Sequence, residues 1–274
     1  PTTMLGQALD FPRQLHAGLA AGEAAGLADR SPAAVAICGL GGSAAGGRLL
    51  TALFADRLAV PVVSVDTTEL PGWIREDTLV VCVSYSGQTA ETLLLWDEAG
   101  TRGALRAAVT AGGALADRAR AAGAPCAVVE AGFQPRGALG LLLGALASLL
   151  DQAGAVPGAG AALARAAPDA AQIDDDAARA DAARLAGHAV VFYGSGARAA
   201  AAVRLKNQVN ENAKAAAWAA AMPEMAHNEI LGWLGCARHG LPAAAVFLRD
   251  AAETAAPLHD RLRDLVAGDV PTVL

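Results

Sequence analysis

The stretch Ala33-Ala-Val-Ala-Ile-Cys38-Gly-Leu-Gly-Gly-Ser43-Ala-Ala-Gly-Gly47 decides the fold. Small and branched apolar residues run without alternation into a glycine-rich turn, and the turn opens a helix that runs to about Ala55. An unbroken apolar run of this length reads as a strand covered on both faces, the signature of a parallel sheet. The same order then recurs. Residues 60–65, 79–84, 106–110 and 126–130 read as further strands, nearly all apolar, with helices over 89–98 and 114–122. Residues 137–152 are apolar on every side and read as a buried helix.

Residues 153–168 are rich in Ala, Gly and Pro and read as a linker. A second unit follows, with a helix over 169–185, a strand over 189–193 and a Gly194-Ser195-Gly196 turn. A long helix from 197 to about 220 comes next, then a strand at 243–248, a helix at 257–267 and a strand beginning at 270–274. Two units, 1–152 and 153–274, thus share the order strand, glycine turn, helix. The expectation is a duplicated α/β chain, each half a three-layer α/β/α sandwich on a mainly parallel sheet. The order also predicts that the second half lacks the helix that would cover its last strand.

Composition narrows the function classes. The chain has 274 residues and a net charge of −6, from 21 basic and 27 acidic side chains. That balance argues against non-specific nucleic-acid binding, which needs a basic surface. The longest strongly apolar run, 137–150, is shorter than the roughly 20 residues of a membrane span. Asp10 and Arg13 interrupt the apolar pattern at the start, so no secretory leader is expected. Cys38, Cys82, Cys126 and Cys236 are far apart and form no CxxC pair, which suits reduced thiols in a cytoplasmic protein.

About a quarter of the residues are alanine, and lysine and asparagine are scarce. Yet Lys206, Asn207, Asn210, Asn212, Lys214 and Asn228 all fall between 206 and 228. Surface helices elsewhere in the chain use Ala, Arg, Asp and Glu, so this window departs from the chain's own habit. Four of the serines, Ser43, Ser84, Ser86 and Ser195, and both tyrosines, Tyr85 and Tyr193, lie in or beside glycine turns.

The turn at 39–47 offers helix-start amides, which attract anions. Its spacing is not that of a P-loop. Its glycines miss the dinucleotide fingerprint at the third position, although Asp66 stands where a ribose-binding acid would. The second turn, Ser84-Tyr85-Ser86-Gly87-Gln88-Thr89, decides against a dinucleotide. Three hydroxyls around one glycine exceed the needs of a helix cap; they suit a monophosphate held by neutral donors. Farther on, helical spacing puts Asn207, Glu211 and Lys214 on one face, making Glu211 a candidate general base. An ordinary Glu–Lys surface pair is the plainer alternative. His227, in Pro223-Glu-Met-Ala-His227-Asn228-Glu229, has no partner histidine at zinc-ligand spacing, so no metal site is expected. Asp174-Asp175-Asp176 reads as a solvated helix start. Trp73, Trp96, Trp218 and Trp233 read as core or interface, and His16, His188, His239 and His259 as structural.

Taken in order, GLGGSAAGG, SYSGQTAET, the Pro135-Arg136 pair, NENAK and PEMAHNE resemble the bifunctional phosphoglucose/phosphomannose isomerases. That family is built from two sugar-isomerase (SIS) domains of the phosphoglucose isomerase superfamily. The resemblance runs from about residue 35 to 235. It implies two SIS domains, 1–152 and 153–274. It also implies a cofactor-free homodimer of carbohydrate metabolism that interconverts glucose 6-phosphate or mannose 6-phosphate with fructose 6-phosphate. By motif, Gly41, Gly42 and Ser43 would line the sugar-phosphate pocket, and Ser84, Ser86 and Thr89 would hold the phosphate. Arg136 would stabilise the enediolate, Glu211 would move the proton, and His227, supplied across the dimer, would help open the ring. The family's C-terminal Thr and Lys find no match before Leu274, which raises the expectation of a shortened chain. The alternatives are a non-catalytic phosphosugar binder and an SIS isomerase of another phosphosugar.

Overall fold

The computed structural model describes residues 3–27, 31–250, 256–268, 270 and 272–273. The chain forms two compact units, Pro1–Gln172 and Ile173–Leu274. Unit 1 begins with helices α1 (Met4–Leu9) and α2 (Phe11–Ala24). Strand β1 (Ala34–Cys38), α3 (Gly42–Leu53), β2 (Val62–Val65), β3 (Thr78–Val83) and α4 (Ala90–Thr101) follow. Then come β4 (Leu105–Thr110), α5 (Gly113–Ala121), β5 (Cys126–Val128), α6 (Leu139–Gln152) and α7 (Ala159–Ala166). The five strands are parallel in the order β2-β1-β3-β4-β5.

The unbroken apolar runs are explained by cover on both faces. All six residues of β3 are buried. On one face Val35, Ile37 and Val81 pack with Leu50, Leu141 and Leu146. On the other, Ala36, Val80 and Cys82 pack with Leu95, Trp96 and Leu115. Each such leucine contributes on the order of 2 kcal/mol by leaving water. Helix α6 is buried nearly all round, as its sequence predicts. Its partner α2 is not apparent in the sequence pattern, because Gly18 and Gly22 weaken the helical signal. The structure gives those glycines a purpose. A methyl group on Gly18 would lie 2.3 Å from the Leu141 carbonyl, and one on Gly22 would lie 2.6 Å from that of Ala145. The two helices touch backbone to backbone.

Unit 2 contains α8 (Asp175–Leu185), β6 (Ala189–Gly194), α9 (Ala197–Gln208), β7 (Ala217–Ala221), α10 (Ile230–His239), β8 (Ala243–Leu248), α11 (Ala256–Ala267) and β9 (Thr272–Val273). Its strands are parallel in the order β7-β6-β8-β9. Tyr193, Trp233, Phe247 and Leu262 fill one side of this sheet, and Val190, Phe192, Ala202 and Val246 the other.

Three segments differ from the sequence reading. Residues 153–168 carry α7, whose Leu163 joins the core of unit 1. The Asp151 carboxylate accepts the Gly158 and Gly160 amides at 2.9 and 3.2 Å, tying α7 to the end of α6. The compact units accordingly divide after Gln172, beyond the 152/153 boundary read from composition. The expected helix over 169–185 is broken, with Asp174 capping α8 by accepting the Ala177 amide at 2.9 Å. That is the local role of the aspartate triplet. Among the described residues no cluster of His, Cys, Asp or Glu is arranged to hold a metal ion.

The third difference is the largest. The expected helix from 197 to about 220 ends early. Helix α9 stops at Gln208, a π-helical turn spans Val209–Ala213, Lys214 takes a left-handed conformation, and Ala217–Ala221 is a strand. Alanine favours helix, but pairing with β6 decides here. Trp96 and Trp233 are buried as expected, whereas Trp73 and Trp218 are 39% and 56% exposed. The four cysteines are free thiols. No helix among the described residues is long and apolar enough to cross a membrane.

Candidate active site

In unit 1 the chain steps from β1 outward to β2, then returns to the other side of β1 with β3. The carboxyl ends of β1 and β3 therefore flank a topological switch point, where open α/β sheets place ligands. Both glycine turns lie there. Gly41 has φ 55° and ψ −126° and starts α3 without a side-chain cap. Thr89 starts α4, also without capping it. Two sets of helix-start amides thus lack a side-chain cap at one edge of the sheet, an arrangement suited to an anion.

The hydroxyls gather around these amides. Ser84 Oγ and Thr89 Oγ1 are 2.8 Å apart, and Ser86 Oγ accepts the Gln88 amide at 3.2 Å. Ser84 is buried and Ser86 exposed, so the turn runs from core to surface. Gly87 adopts φ 65° and lies so close to Gly112 that a Cβ there would stand 1.8 Å from the Gly112 carbonyl oxygen. Only glycine fits. The buried Ser43 hydroxyl accepts the Tyr85 amide at 3.3 Å, joining the two turns. Arg136 sits half-buried on a short turn, Pro135–Gly137, that follows β5 at the same edge. A Cβ on Gly42 would lie 3.2 Å from the Pro135 carbonyl and 3.4 Å from Arg136 Cα. Unit 1 therefore brings together Gly41, Gly42, Ser43, Ser84, Ser86, Thr89 and Arg136. Asp66, the ribose-type acid, is engaged in an ion pair with Arg48 of α3.

Unit 2 holds Glu211 and His227. Glu211 lies on the π-helical turn, where the wider winding replaces the 100° spacing that would align it with Asn207 and Lys214. Lys214 Nζ donates to the Glu211 carbonyl at 2.7 Å, and Asn210 Nδ2 donates to the Ala215 carbonyl at 2.9 Å. These bonds brace the turn that presents the exposed Glu211 side chain. Burial pulls the Arg204 guanidinium below its ordinary range, while the charge of Glu211 pulls it back up. His227 is exposed and ends the short turn Glu224–His227, just beyond β7. Glu211 precedes β7 and His227 follows it, so the two stand at opposite ends of a five-residue strand, roughly 16 Å long. Unit 2 does not bring them together.

The sequence reading gave Tyr85 and Tyr193 no function. Tyr85 donates its hydroxyl to the Glu130 carbonyl and accepts the Phe133 amide, both at 2.9 Å. Tyr193 donates to Glu229 Oε2 and accepts Trp233 Nε1–H, both at 3.1 Å. Burial raises both phenols above their ordinary range. The available signal was positional, since the chain's two tyrosines both sit at glycine turns.

Each unit thus has a parallel sheet with a glycine turn and an uncapped helix start at its switch point. Residues 174–270 match the family model described as "Bacterial phospho-glucose isomerase C-terminal SIS domain". A bifunctional phosphoglucose/phosphomannose isomerase of Aquifex aeolicus is 35% identical over 201 residues, which is 73% of this chain and 62% of that protein. A D-glucosamine-6-phosphate 4-epimerase of Sulfolobus acidocaldarius is 32% identical over 197 residues, 72% of this chain and 62% of that protein. In fold, the C-terminal domain of glucosamine-fructose-6-phosphate aminotransferase from Francisella tularensis superposes with a TM-score of 0.73 at 12% identity. That match covers 98% of this chain and 82% of the other. Over these 201 residues the chain is similar to the bifunctional phosphoglucose/phosphomannose isomerase of Aquifex aeolicus, and most of its second unit matches the bacterial phospho-glucose isomerase SIS domain. The chain spans about 62% of the length of these curated relatives.

Proposed function

We propose that the protein is an aldose–ketose isomerase that interconverts glucose 6-phosphate and mannose 6-phosphate with fructose 6-phosphate. The observation that carries this reading is the neutral cradle of Ser84, Ser86 and Thr89 at the switch point of unit 1. A sugar phosphate needs its anion held firmly while its carbonyl end remains free to react. Hydroxyls and helix-start amides do this without a metal ion. Gly41, Gly42 and Ser43 line the adjoining sugar, and Arg136 stabilises the negative charge on the enediolate oxygen. Glu211 takes the proton from C2 and returns it to C1, while a proton passes between O1 and O2, so the reaction balances without a redox cofactor.

His227 assists ring opening. The opposite placement of Glu211 and His227 about β7 supports a homodimer in which one substrate meets Glu211 of one protomer and His227 of the partner subunit. We place the enzyme in the cytoplasm, in keeping with its free cysteines. A coupled assay for fructose 6-phosphate, with glucose 6-phosphate and mannose 6-phosphate as substrates, tests the proposal. Turnover of either is expected. Saturable binding by calorimetry with no turnover would instead mark a phosphosugar-binding protein.

A second reading rests on the epimerase relative. If the cradle accepts an amino sugar, glucosamine 6-phosphate will be epimerised at C4, and NMR of the reaction mixture will detect the new C4 epimer.

A further inference from the structure

We infer that Tyr85 is a positioning residue that ties the phosphate turn to the segment carrying Arg136; this rests on the isomerase reading. Tyr85 belongs to the hydroxyl turn by sequence, but its side chain points away from it into the core and is 6% exposed. There its hydroxyl meets two backbone groups of another segment, the Glu130 carbonyl and the Phe133 amide, each at 2.9 Å. Both phenol functions, donor and acceptor, are used. Its backbone joins further parts of the site. The Tyr85 amide donates to Ser43 Oγ at 3.3 Å, and the Tyr85 carbonyl accepts the Ala111 amide at 2.9 Å. One residue thus contacts the first turn, the strand end beside the second turn, and the loop that leads to Arg136.

The same loop is held from its other side. Gln7, 4% exposed on α1, accepts the Gln134 amide on Oε1 at 3.1 Å. Gln7 Oε1 also fills the space where a side chain on Gly137 would begin, 2.2 Å from an ideal Cβ. Residues 130–137 are therefore pinned at Glu130 and Phe133 by Tyr85, at Gln134 by Gln7, and at Pro135 by contact with Gly42. Arg136 lies between these pins. A guanidinium that must meet a developing oxyanion gains from such support, because misplacement by about 1 Å can cost on the order of a hundredfold in rate.

The test is Tyr85→Phe, which keeps the ring and removes only the hydroxyl. Amide hydrogen exchange on the full chain reads the clamp independently of activity. The Phe133 amide is expected to exchange at least about tenfold faster, while the Gln134 amide, held by Gln7, and the β3 amides stay within about threefold. Unchanged Phe133 protection would overturn the inference whatever the enzyme does. In the isomerase assay kcat is expected to fall about tenfold with KM within about twofold, because the phosphate donors are untouched. In an Arg136→Ala background the same substitution should change kcat by less than about twofold, since its effect runs through Arg136. A fully additive loss, or an unchanged kcat with a loosened Phe133 amide, overturns the positioning role. Loosened exchange in a chain without turnover instead overturns the isomerase reading and leaves the clamp standing. Gln7→Met frees the same segment from the α1 side. If Tyr85→Phe fails to fold, a Gln7→Met variant with unaltered kcat overturns the inference, and one with reduced kcat and unchanged KM supports it.

Discussion

The two units build the same turn and then fill it differently. Gly41 starts α3 with φ 55° and ψ −126°, and Gly196 starts α9 with φ 50° and ψ −124°. Each turn follows a central strand at a switch point, and neither helix has a side-chain cap. In unit 1 the neighbouring strand end contributes the hydroxyls of Ser84, Ser86 and Thr89. In unit 2 the position after β8 contributes Asp250, whose carboxylate accepts from Arg198 of α9 at 2.5 Å. The first crevice offers neutral donors to an anion from outside. The second supplies its own anion. A duplicated backbone thus carries different side chains in its two turns, and in the proposed mechanism unit 1 grips the phosphate while unit 2 supplies the proton-transfer groups.

That division makes a kinetic prediction, and the largest effect falls in unit 2. Glu211→Gln keeps the shape and removes the base, so kcat should fall by about 10²- to 10⁴-fold while KM stays within about threefold. A variant as active as the parent would remove Glu211 from the reaction. A variant with raised KM and intact kcat would break the division itself, by moving substrate binding into unit 2.

The glycines make a structural contrast. At Gly87, in the cradle of unit 1, a Cβ would collide with the Gly112 carbonyl at 1.8 Å. At Gly196, in the matching turn of unit 2, a Cβ would meet nothing within 4 Å. Gly87→Ala should cost about 3 kcal/mol or more, from the clash added to the left-handed backbone. Gly196→Ala should cost only the backbone term, about 2 kcal/mol. Urea melts of both variants check this, and equal losses would mean the second turn is as tightly packed as the first.

Next in size is the cradle. Ser84→Ala removes a phosphate donor and the 2.8 Å partner of Thr89. KM for the sugar phosphate should rise about tenfold, with kcat changed less than about threefold. The reverse pattern would assign Ser84 to chemistry rather than to grip.

Much of this arrangement was legible from the sequence because its signals are local. An apolar run, a glycine turn and a helix start lie within a few consecutive residues, so both the parallel sheet and the hydroxyl cradle could be read directly. What escaped depends on partners far along the chain. The Ala217-Trp-Ala-Ala-Ala221 segment has helical composition, and only its pairing with β6 makes it a strand. Helix α2 carries glycines that look like breaks until Leu141 and Ala145 are packed against them. The Tyr85 hydroxyl finds its partners 45 and 48 residues away, and no spacing rule reaches that far.

The gentlest prediction returns to the paired tyrosines, because burial holds both above the ordinary phenol value near 10. Below pH 10 the folded and unfolded chains both keep these protons, and the stability is fully present. As pH rises past 10 the unfolded chain ionises first while the folded chain holds its protons. Unfolding then becomes easier with each increment of pH, by at most about 1.4 kcal/mol per unit for each tyrosine. Tyr193 is the more deeply buried, and the Glu229 carboxylate adds to its shift, so its folded-state value stands higher than that of Tyr85. Tyr193→Phe should accordingly flatten the alkaline fall in stability more than Tyr85→Phe, as read from urea melts at pH 9, 10 and 11. Equal flattening would show that the two tyrosines are desolvated alike, and parallel curves for both variants would show that neither phenol is protected from ionisation.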